Sequence, residues 1–315
     1  MTQKISIIFS FFNEEECIND TVDEVSSVLE NIQNIDYELV FVNDCSTDSS
    51  LKLLTNKTQN NNKIKVINMS RRFGHMPCVL AGLKYCKGDA AIHMDIDLQD
   101  PPGIITKMIE TWKNKNCDVV YSKREKFKNS YINNFLSFWG YKILKKFNYI
   151  DLEENAGDFR LITKRVIKEI VNLNETSSFR FLVDFVGFKK EKILYERQAR
   201  KSGESKFGLK DVVFSFLEMS LLPFTKTLIR LSFVLGLISV AIIILLIPII
   251  IYQISQNQNI LNFSSLIAFG LLFFAAIQGF ILSIICAYIG LIFNQTTGRP
   301  KYIVESKIGF SDEVI

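Results

Sequence analysis

Two runs, residues 231–252 and 264–293, contain no charged residue. Each is long enough to cross a hydrocarbon core at about 1.5 Å per helical residue. They constrain the fold more than any other feature, because soluble domains seldom bury two such helices; buried core helices are the competing reading. They carry most of the apolar excess of a chain that is 48% apolar over 315 residues. They also divide it. Residues 1–207 read as a soluble domain and 208–230 as a juxtamembrane amphipathic segment. Residues 231–293 read as two transmembrane helices with a short connector, and 294–315 as a tail. The connector QISQNQNILNF is uncharged, whereas Lys206, Lys210, Lys226 and Arg230 precede the first run and Arg299, Lys301 and Lys307 follow the second. The positive-inside rule then places the domain and the tail in the cytoplasm of a multi-pass plasma (inner) membrane protein. The apolar ISIIFSFF near the start runs into NEEE without a small-residue cleavage site, so it reads as a strand and not as a signal peptide.

The soluble part alternates strand and helix signals. KISIIFS, YELVFVND, IKVINMS, DAAIHMDI and DVVYSKR are short, β-branched apolar runs. Between them lie helical patterns: residues 14–31, a segment capped by Ser46 or Thr47, HMPCVLAGLKYC, and PPGIITKMIETWKNK with prolines at its start. This order implies an α/β fold, a parallel sheet with helices on both faces. Ligands of such sheets sit at the carboxyl ends of the strands. Four polar clusters fall there: Phe12-Asn13-Glu14, Asn43-Asp44, Ser70-Arg71-Arg72 and Asp95-Ile96-Asp97. No GxGxxG or GxxxxGK[ST] follows a strand, which argues against a dinucleotide fold or a P-loop. After Arg124 the alternation breaks into an aromatic and basic helical stretch, then AGDFRLIT, helical KRVIKEIVNL and SSFRFLVDFVGF, and strand-like KKEKILYERQARK.

Several partner classes are set aside. The net charge is only +4, and nothing in its distribution points to nucleic acid. Six cysteines show no CxxC pair and there are two histidines, His75 and His93, so no zinc site is expected and the thiols read as reduced. The cluster MDIDLQDPP is different. Carboxylates so close repel one another unless a cation or hydrogen-bond donors hold them. A divalent hard cation on carboxylate oxygens would satisfy them.

Taken in order, SFFNEEE, VNDCSTDSS, RRFGHMPCVLAGL, MDIDLQDPP, AGDFRLI and RQARKSGESKF resemble family 2 glycosyltransferases with a GT-A fold. More narrowly the chain is similar to polyprenyl-phosphate glycosyltransferases, the dolichyl-phosphate mannose synthase group and bacterial relatives that load glucose or another sugar onto undecaprenyl phosphate. The motifs span residues 5 to 207, and the two apolar runs match the bacterial two-span subgroup. The resemblance implies a nucleotide-binding GT-A domain with a mostly parallel sheet, amphipathic interface helices and two C-terminal transmembrane helices. It implies an inverting transfer from a nucleotide sugar, UDP-linked and glucose-like by preference and GDP-linked as the alternative. The acceptor is a polyprenyl phosphate, the cation Mg²⁺ or Mn²⁺, and relatives can form tetramers.

The resemblance also assigns roles. Asp97 ligates the metal with support from Gln99, and Asp95 meets the ribose or the metal indirectly. Phe12, Glu14 and Asp44 hold the base. Arg124 meets the diphosphate or the lipid phosphate, and Arg197, Arg200 and Lys206 form a basic loop for phosphate oxygens, with Gly203 and Ser205 lending it mobility. Asp158 positions sugar hydroxyls or completes the metal site, with base catalysis as the second choice, since a phosphate monoester acceptor is already largely ionised at a second pKa of about 6. Arg160 reaches the same anions or pairs with Asp158, and Asp100 caps a helix. Two positions depart from the family: Ser10 stands where proline is usual and Cys45 where glycine is usual, both backbone-shaping sites. The rival readings are a processive polysaccharide synthase, which would carry QxxRW, an enzyme extending a lipid-linked glycan, and a membrane scaffold with an inactive transferase domain.

Overall fold

The computed structural model describes residues 2–124, 156–173, 178–195 and 260–310, with isolated positions between 235 and 252. The basic loop with Arg197, Arg200 and Lys206, the segment 208–230 and nearly all of the first apolar run lie outside the described residues. The chain divides into two units, residues 1–216 with 300–315, and residues 217–299.

The first unit is built on an eight-stranded sheet. Its strands are β1 (Gln3–Phe11), β2 (Ile35–Asn43), β3 (Ile64–Met69), β4 (Ala90–His93), β5 (Val119–Arg124), β6 (Ala156–Thr163), β7 (Lys190–Tyr195) and β8 (Val304–Ile308). The spatial order is β7-β5-β6-β4-β1-β2-β3-β8. Its helices are α1 (Ile18–Glu30), α2 (Ser50–Asn60), α3 (His75–Tyr85), α4 (Gly103–Lys115), α5 (Lys164–Asn172) and α6 (Phe179–Phe185).

Alternation within β1 explains the two layers of core. Ile5, Ile7, Phe9 and Phe11 point to one face, where they pack with Ile18, Val22, Val25 and Leu29 of α1 and Ile105, Met108 and Ile109 of α4. Ile8 points to the other face, with Val40, Val42, Leu80 and Leu83 of α3, and Val166 and Ile170 of α5. Full burial of one such side chain is worth about 1.5–3 kcal/mol. α3 approaches the sheet so closely that a Cβ on Gly82 would collide with Ile8 and press on Val42.

The strands β3-β2-β1-β4 run parallel. After β3 the chain crosses back over the sheet and places β4 on the far side of β1. The strand order therefore reverses between β1 and β4, which opens a crevice at their carboxyl ends.

The sheet is mixed: most strands run the same way, as expected, but β6 and β8 run against the rest. β6 inserts between β4 and β5 and runs antiparallel to both. β5 and β7 are parallel, whereas β8 closes the opposite edge antiparallel to β3. The tail 294–315 thus supplies a strand, which its polar VESKI sequence does not announce because an edge strand has one solvated face.

Two helix starts also differ from expectation. α2 has Ser49 at its N-cap without a side-chain bond; instead the Ser49 N–H donates to Glu15 Oε2 at 2.9 Å. Ser46 and Thr47 are spent elsewhere, on Asn13. α4 has Pro102 at its N-cap, and Asp100 is buried and accepts a hydrogen bond from the Tyr195 hydroxyl of β7.

In the second unit, α7 (Ile260–Thr296) is the one helix among the described residues long and apolar enough to cross a membrane. Its window Phe273–Gly290 has a mean hydropathy of 2.0. Phe273, Phe280, Leu282, Ile285 and Ile289 are exposed along it.

Candidate active site

The four polar clusters lie on one edge of the sheet, because β1, β2, β3 and β4 are parallel and in register there; Phe11 pairs with Asn43, Asn43 with Asn68, and Ile8 with His93. The loops after these strands are stitched together. The Asn13 backbone N–H donates to Ser46 Oγ at 3.0 Å, and its side-chain Oδ1 accepts from the Thr47 N–H at 2.8 Å. The Glu14 N–H donates to Ser50 Oγ at 3.1 Å. Asp44 is buried, and its carboxylate accepts from the Phe73 N–H at 2.7 Å and the Gly74 N–H at 2.9 Å. It therefore ties the loop after β3, and the start of α3, to the end of β2. Arg72 lies 4.1 Å from the centre of the Phe12 ring and 4.0 Å from Asp44. The guanidinium covers one face of the ring assigned to the base.

The loop after β4 holds its shape through α1. The Thr21 hydroxyl lies 2.6 Å from the Ile96 carbonyl oxygen and donates to it, which fixes the backbone between Asp95 and Asp97. Asp97 is buried, and its Oδ1 accepts from the Gln99 N–H at 3.2 Å. That bond spans Leu98, whose φ of +53° is unusual for a branched residue. Asn13 and Cys45 also have positive φ, at 53° and 58°, in the loops after β1 and β2. The position where glycine is usual is thus one that needs a left-handed backbone.

β6 brings a second set of groups to the same crevice. Asp158 Oδ1 lies 3.5 Å from Arg180 Nε of α6. Burial acts to raise the Asp158 carboxyl, but Arg180, with His93, His75 and Arg160, outweighs it and holds the group below its ordinary value. Arg160 does not reach the crevice as an anion-binding group. It is buried, donates from Nε to the Gly157 carbonyl at 3.0 Å and pairs with Asp184 at 3.3 Å, rather than with Asp158. Arg124 ends β5 opposite Tyr195, so its backbone is at the sheet edge.

Two histidines enter the site that the sequence reading left as ordinary residues. His93, the last residue of β4, is buried between His75 at 5.1 Å and Phe179 at 5.3 Å, both edge-on. Burial, with His75 beside it, pushes its pKa down to about 4, so the ring is neutral near pH 7. Its Nδ1 is 3.3 Å from the Asp158 carbonyl oxygen. His75 is exposed in the first turn of α3, and its Nδ1 is 2.7 Å from Ser10 Oγ. His93 could have been found from its spacing of two from Asp95. His75, Arg180 and Asp184 could not, since only the tertiary fold brings α3 and α6 to β4 and β6.

Comparison with known proteins agrees with this architecture. Residues 6–171 match the model of Glycosyl transferase family 2. The chain is 34% identical over 311 residues, 98% of its own length and 95% of the other, to the uncharacterized glycosyltransferase YkcC of Bacillus subtilis. It is 31% identical over 310 residues to the prophage bactoprenol glucosyl transferase homolog of Escherichia coli, covering 96% of this chain and 98% of that one. Among solved structures, glucosyl-3-phosphoglycerate synthase from Mycobacterium tuberculosis, in complex with Mn²⁺, UDP and phosphoglyceric acid, superposes with a TM-score of 0.52 at 14% identity. That match covers 71% of this chain and 78% of the other. A mannosyltransferase from Pyrobaculum calidifontis, in complex with GDP-Man and Mn²⁺, has a TM-score of 0.50 at 12% identity over 73% of this chain and 65% of its own. The two solved structures establish a GT-A-like fold. With the family match over more than half its length, the chain belongs to glycosyl transferase family 2 and is a glycosyltransferase.

Proposed function

We propose that the protein transfers a glucose-like sugar from a UDP-sugar to a polyprenyl phosphate at the cytoplasmic face of a membrane, with inversion at the anomeric carbon. The observation that carries this reading is near-full-length similarity to bactoprenol glucosyl transferases, 30% identical over 99% of one phage protein's length, together with intact Asp95 and Asp97 at the crevice. A GDP-sugar is the alternative donor. The long apolar α7 supports a membrane location, and two spans with both ends cytoplasmic remain part of the proposal.

A divalent cation, Mg²⁺ or Mn²⁺, fits the donor set at Asp97, with Gln99 in support. The fit rests on a buried carboxylate held at a strand end by the Gln99 N–H, a hard oxygen donor suited to a hard cation. Such a cation supplies charge neutralisation for the departing diphosphate. Asp95 is assigned to the ribose or, indirectly, to the metal, and Phe12, Glu14 and Asp44 to the base. Asp44 would act on the base mostly through the Phe73 and Gly74 backbone that it holds.

In the reaction a lipid phosphate oxygen attacks the anomeric carbon. The bond from that carbon to the diphosphate oxygen breaks, and the electron pair leaves with the nucleotide. The nucleophile is already anionic. Asp158, held low in pKa beside Arg180, is a weak base and acts by positioning sugar hydroxyls. Arg124, Arg197, Arg200 and Lys206 are assigned to phosphate oxygens, where arginine forks are suited to paired contacts.

Donor screening with membranes containing undecaprenyl phosphate, with the lipid product read by mass, tests the proposal. A hexosyl-phosphoryl lipid formed from UDP-glucose is the expected outcome. Product on a sugar acceptor but none on the lipid phosphate would overturn it and favour an enzyme that extends lipid-linked glycans.

A further inference from the structure

We propose that His75, His93 and Asp95 form a second cation site, one for a first-row transition metal, beside the cation assigned to Asp97 and Gln99. One ligand atom from each of the three residues lies within 4.8 Å of the others, the one such gathering of histidine, cysteine and acidic side chains among the described residues. The sequence reading expected no zinc site, because the cysteines form no CxxC pair and there are only two histidines. The fold removes that objection by placing the first turn of α3 against the end of β4.

The hydrogen bonding of His93 is that of a metal ligand. A backbone carbonyl only accepts, so the Asp158 carbonyl fixes the ring hydrogen on Nδ1. Nε2 then carries the lone pair. It is buried and has no hydrogen-bond partner among the described residues. A buried acceptor without a donor is costly, and metal-bound histidines characteristically donate their other ring nitrogen to a carbonyl or carboxylate. His75 is oriented similarly, by Ser10 at 2.7 Å.

The donor set decides the kind of ion. Two imidazoles and a carboxylate suit zinc, iron, cobalt or manganese, whereas Mg²⁺ prefers oxygen and retains its waters. Metal–nitrogen bonds of about 2.0–2.1 Å require the ligand atoms to draw together. His75 is the member able to do so, because it is exposed while His93 is fixed in the core. The positive end of α3 opposes a cation at His75, and Asp95 and Asp158 offset it.

The full-length protein in detergent, stripped with a chelator, is titrated with Co²⁺ alone and then in a large excess of Mg²⁺. Visible absorption reports nitrogen ligation and elemental analysis the stoichiometry. The expected result is one Co²⁺ retained against Mg²⁺, with His75→Ala lowering its affinity by about 10- to 100-fold. His93→Gln should do the same, Ser10→Ala should weaken binding less, and Asp97→Asn should leave it unchanged. His75 is exposed, so its variant keeps the test decisive even where a core substitution at His93 does not fold. Failure to retain Co²⁺ against Mg²⁺, or wild-type affinity in His75→Ala, overturns the inference. Loss in Asp97→Asn, alone or together with His75→Ala, means a single ion at the donor site; it also overturns the second site, while leaving the proposed transfer reaction standing.

Discussion

The two edges of the sheet treat buried charge in opposite ways. Toward the amino ends of the strands, Glu38 of β2 is fully buried. Its carboxylate accepts from Lys65 Nζ at 2.5 Å, the Lys87 N–H at 2.6 Å and the Ser6 hydroxyl at 2.7 Å. At the carboxyl ends, His93 keeps a buried Nε2 that has no hydrogen-bond partner among the described residues. The backbone follows the same division. Positive φ at the amino edge falls on Asn34 and Asn116, just before β2 and β5, where asparagine tolerates it. At the carboxyl edge it falls also on Cys45 and Leu98. One edge is saturated and serves stability. The other retains polar capacity and strain, as sites that await a ligand do.

The sharpest way to break this contrast is to cut the saturated edge. Glu38→Ala leaves Lys65 charged and buried, so unfolding free energy should fall by about 3–5 kcal/mol. Activity per folded molecule should not change. Denaturant titration alongside lipid-product assay measures both. The pH dependence has a definite sign. Burial would raise the Glu38 carboxyl, but Lys65, the Lys87 N–H and Ser6 outweigh it and hold it below its ordinary 4.5. The folded state then binds fewer protons than the unfolded one. The contribution is complete above about pH 4.5 and is lost as pH falls through the lower folded value. In Glu38→Gln that acid loss should be absent from a stability–pH profile.

The open edge should respond the other way. Asp97→Asn removes the charge assigned to the cation while keeping the shape of the side chain. Stability should change less than in Glu38→Ala, because the amide keeps an acceptor oxygen for the Gln99 N–H. Turnover should fall by about 100- to 1000-fold, the usual cost of losing one charge-stabilising group. Unchanged turnover would remove Asp97 from the catalytic centre and, with it, the contrast between the edges.

How much of this was legible beforehand follows the same division. The strands β1 to β4 and their shared carboxyl edge could be read because buried parallel strands are short continuous apolar runs with polar ends. Asp97 and Asp95 came with them. β8 could not be read, since VESKI has no apolar run and pairs with β3 across more than 230 residues of chain. Asp100 looked like a cap because it precedes two prolines, yet its partner is Tyr195 on a strand 95 residues away. Arg160 looked available to anions, but Asp184 claims it. In each case the residue type was visible and the partner was not, because the partner arrives through tertiary contact.

β8 gives a subtler test of the open edge. Its Glu305 accepts from the Asn68 side chain, Asn68 Oδ1 accepts from Asn43 Nδ2 at 2.7 Å, and Asn43 Oδ1 accepts from the Ser46 N–H at 3.0 Å. This relay runs from the tail strand to the loop assigned to the base. Glu305→Ala removes a charge-assisted bond worth about 1.5 kcal/mol, so the donor KM should rise about tenfold with kcat little changed. A change in melting temperature alone, with KM constant, would assign Glu305 to the saturated part of the structure.

The smallest expected effect concerns strain alone. Cys45 is exposed, carries a free thiol and has φ +58°. Left-handed backbone costs a residue bearing a Cβ about 1–2 kcal/mol relative to glycine, partly offset by the greater freedom of glycine in the unfolded chain. Cys45→Gly should therefore stabilise the protein by about 0.5–1 kcal/mol, measured by denaturant titration. If the strain serves only to set the loop between Asp44 and Ser46, donor KM should be unchanged, because Asp44 is held by the Phe73 and Gly74 N–H groups rather than by its neighbour. If KM rises while stability improves, the stiffness of a non-glycine residue at this position contributes to donor binding, and strain at the carboxyl edge is part of how the enzyme holds its substrate.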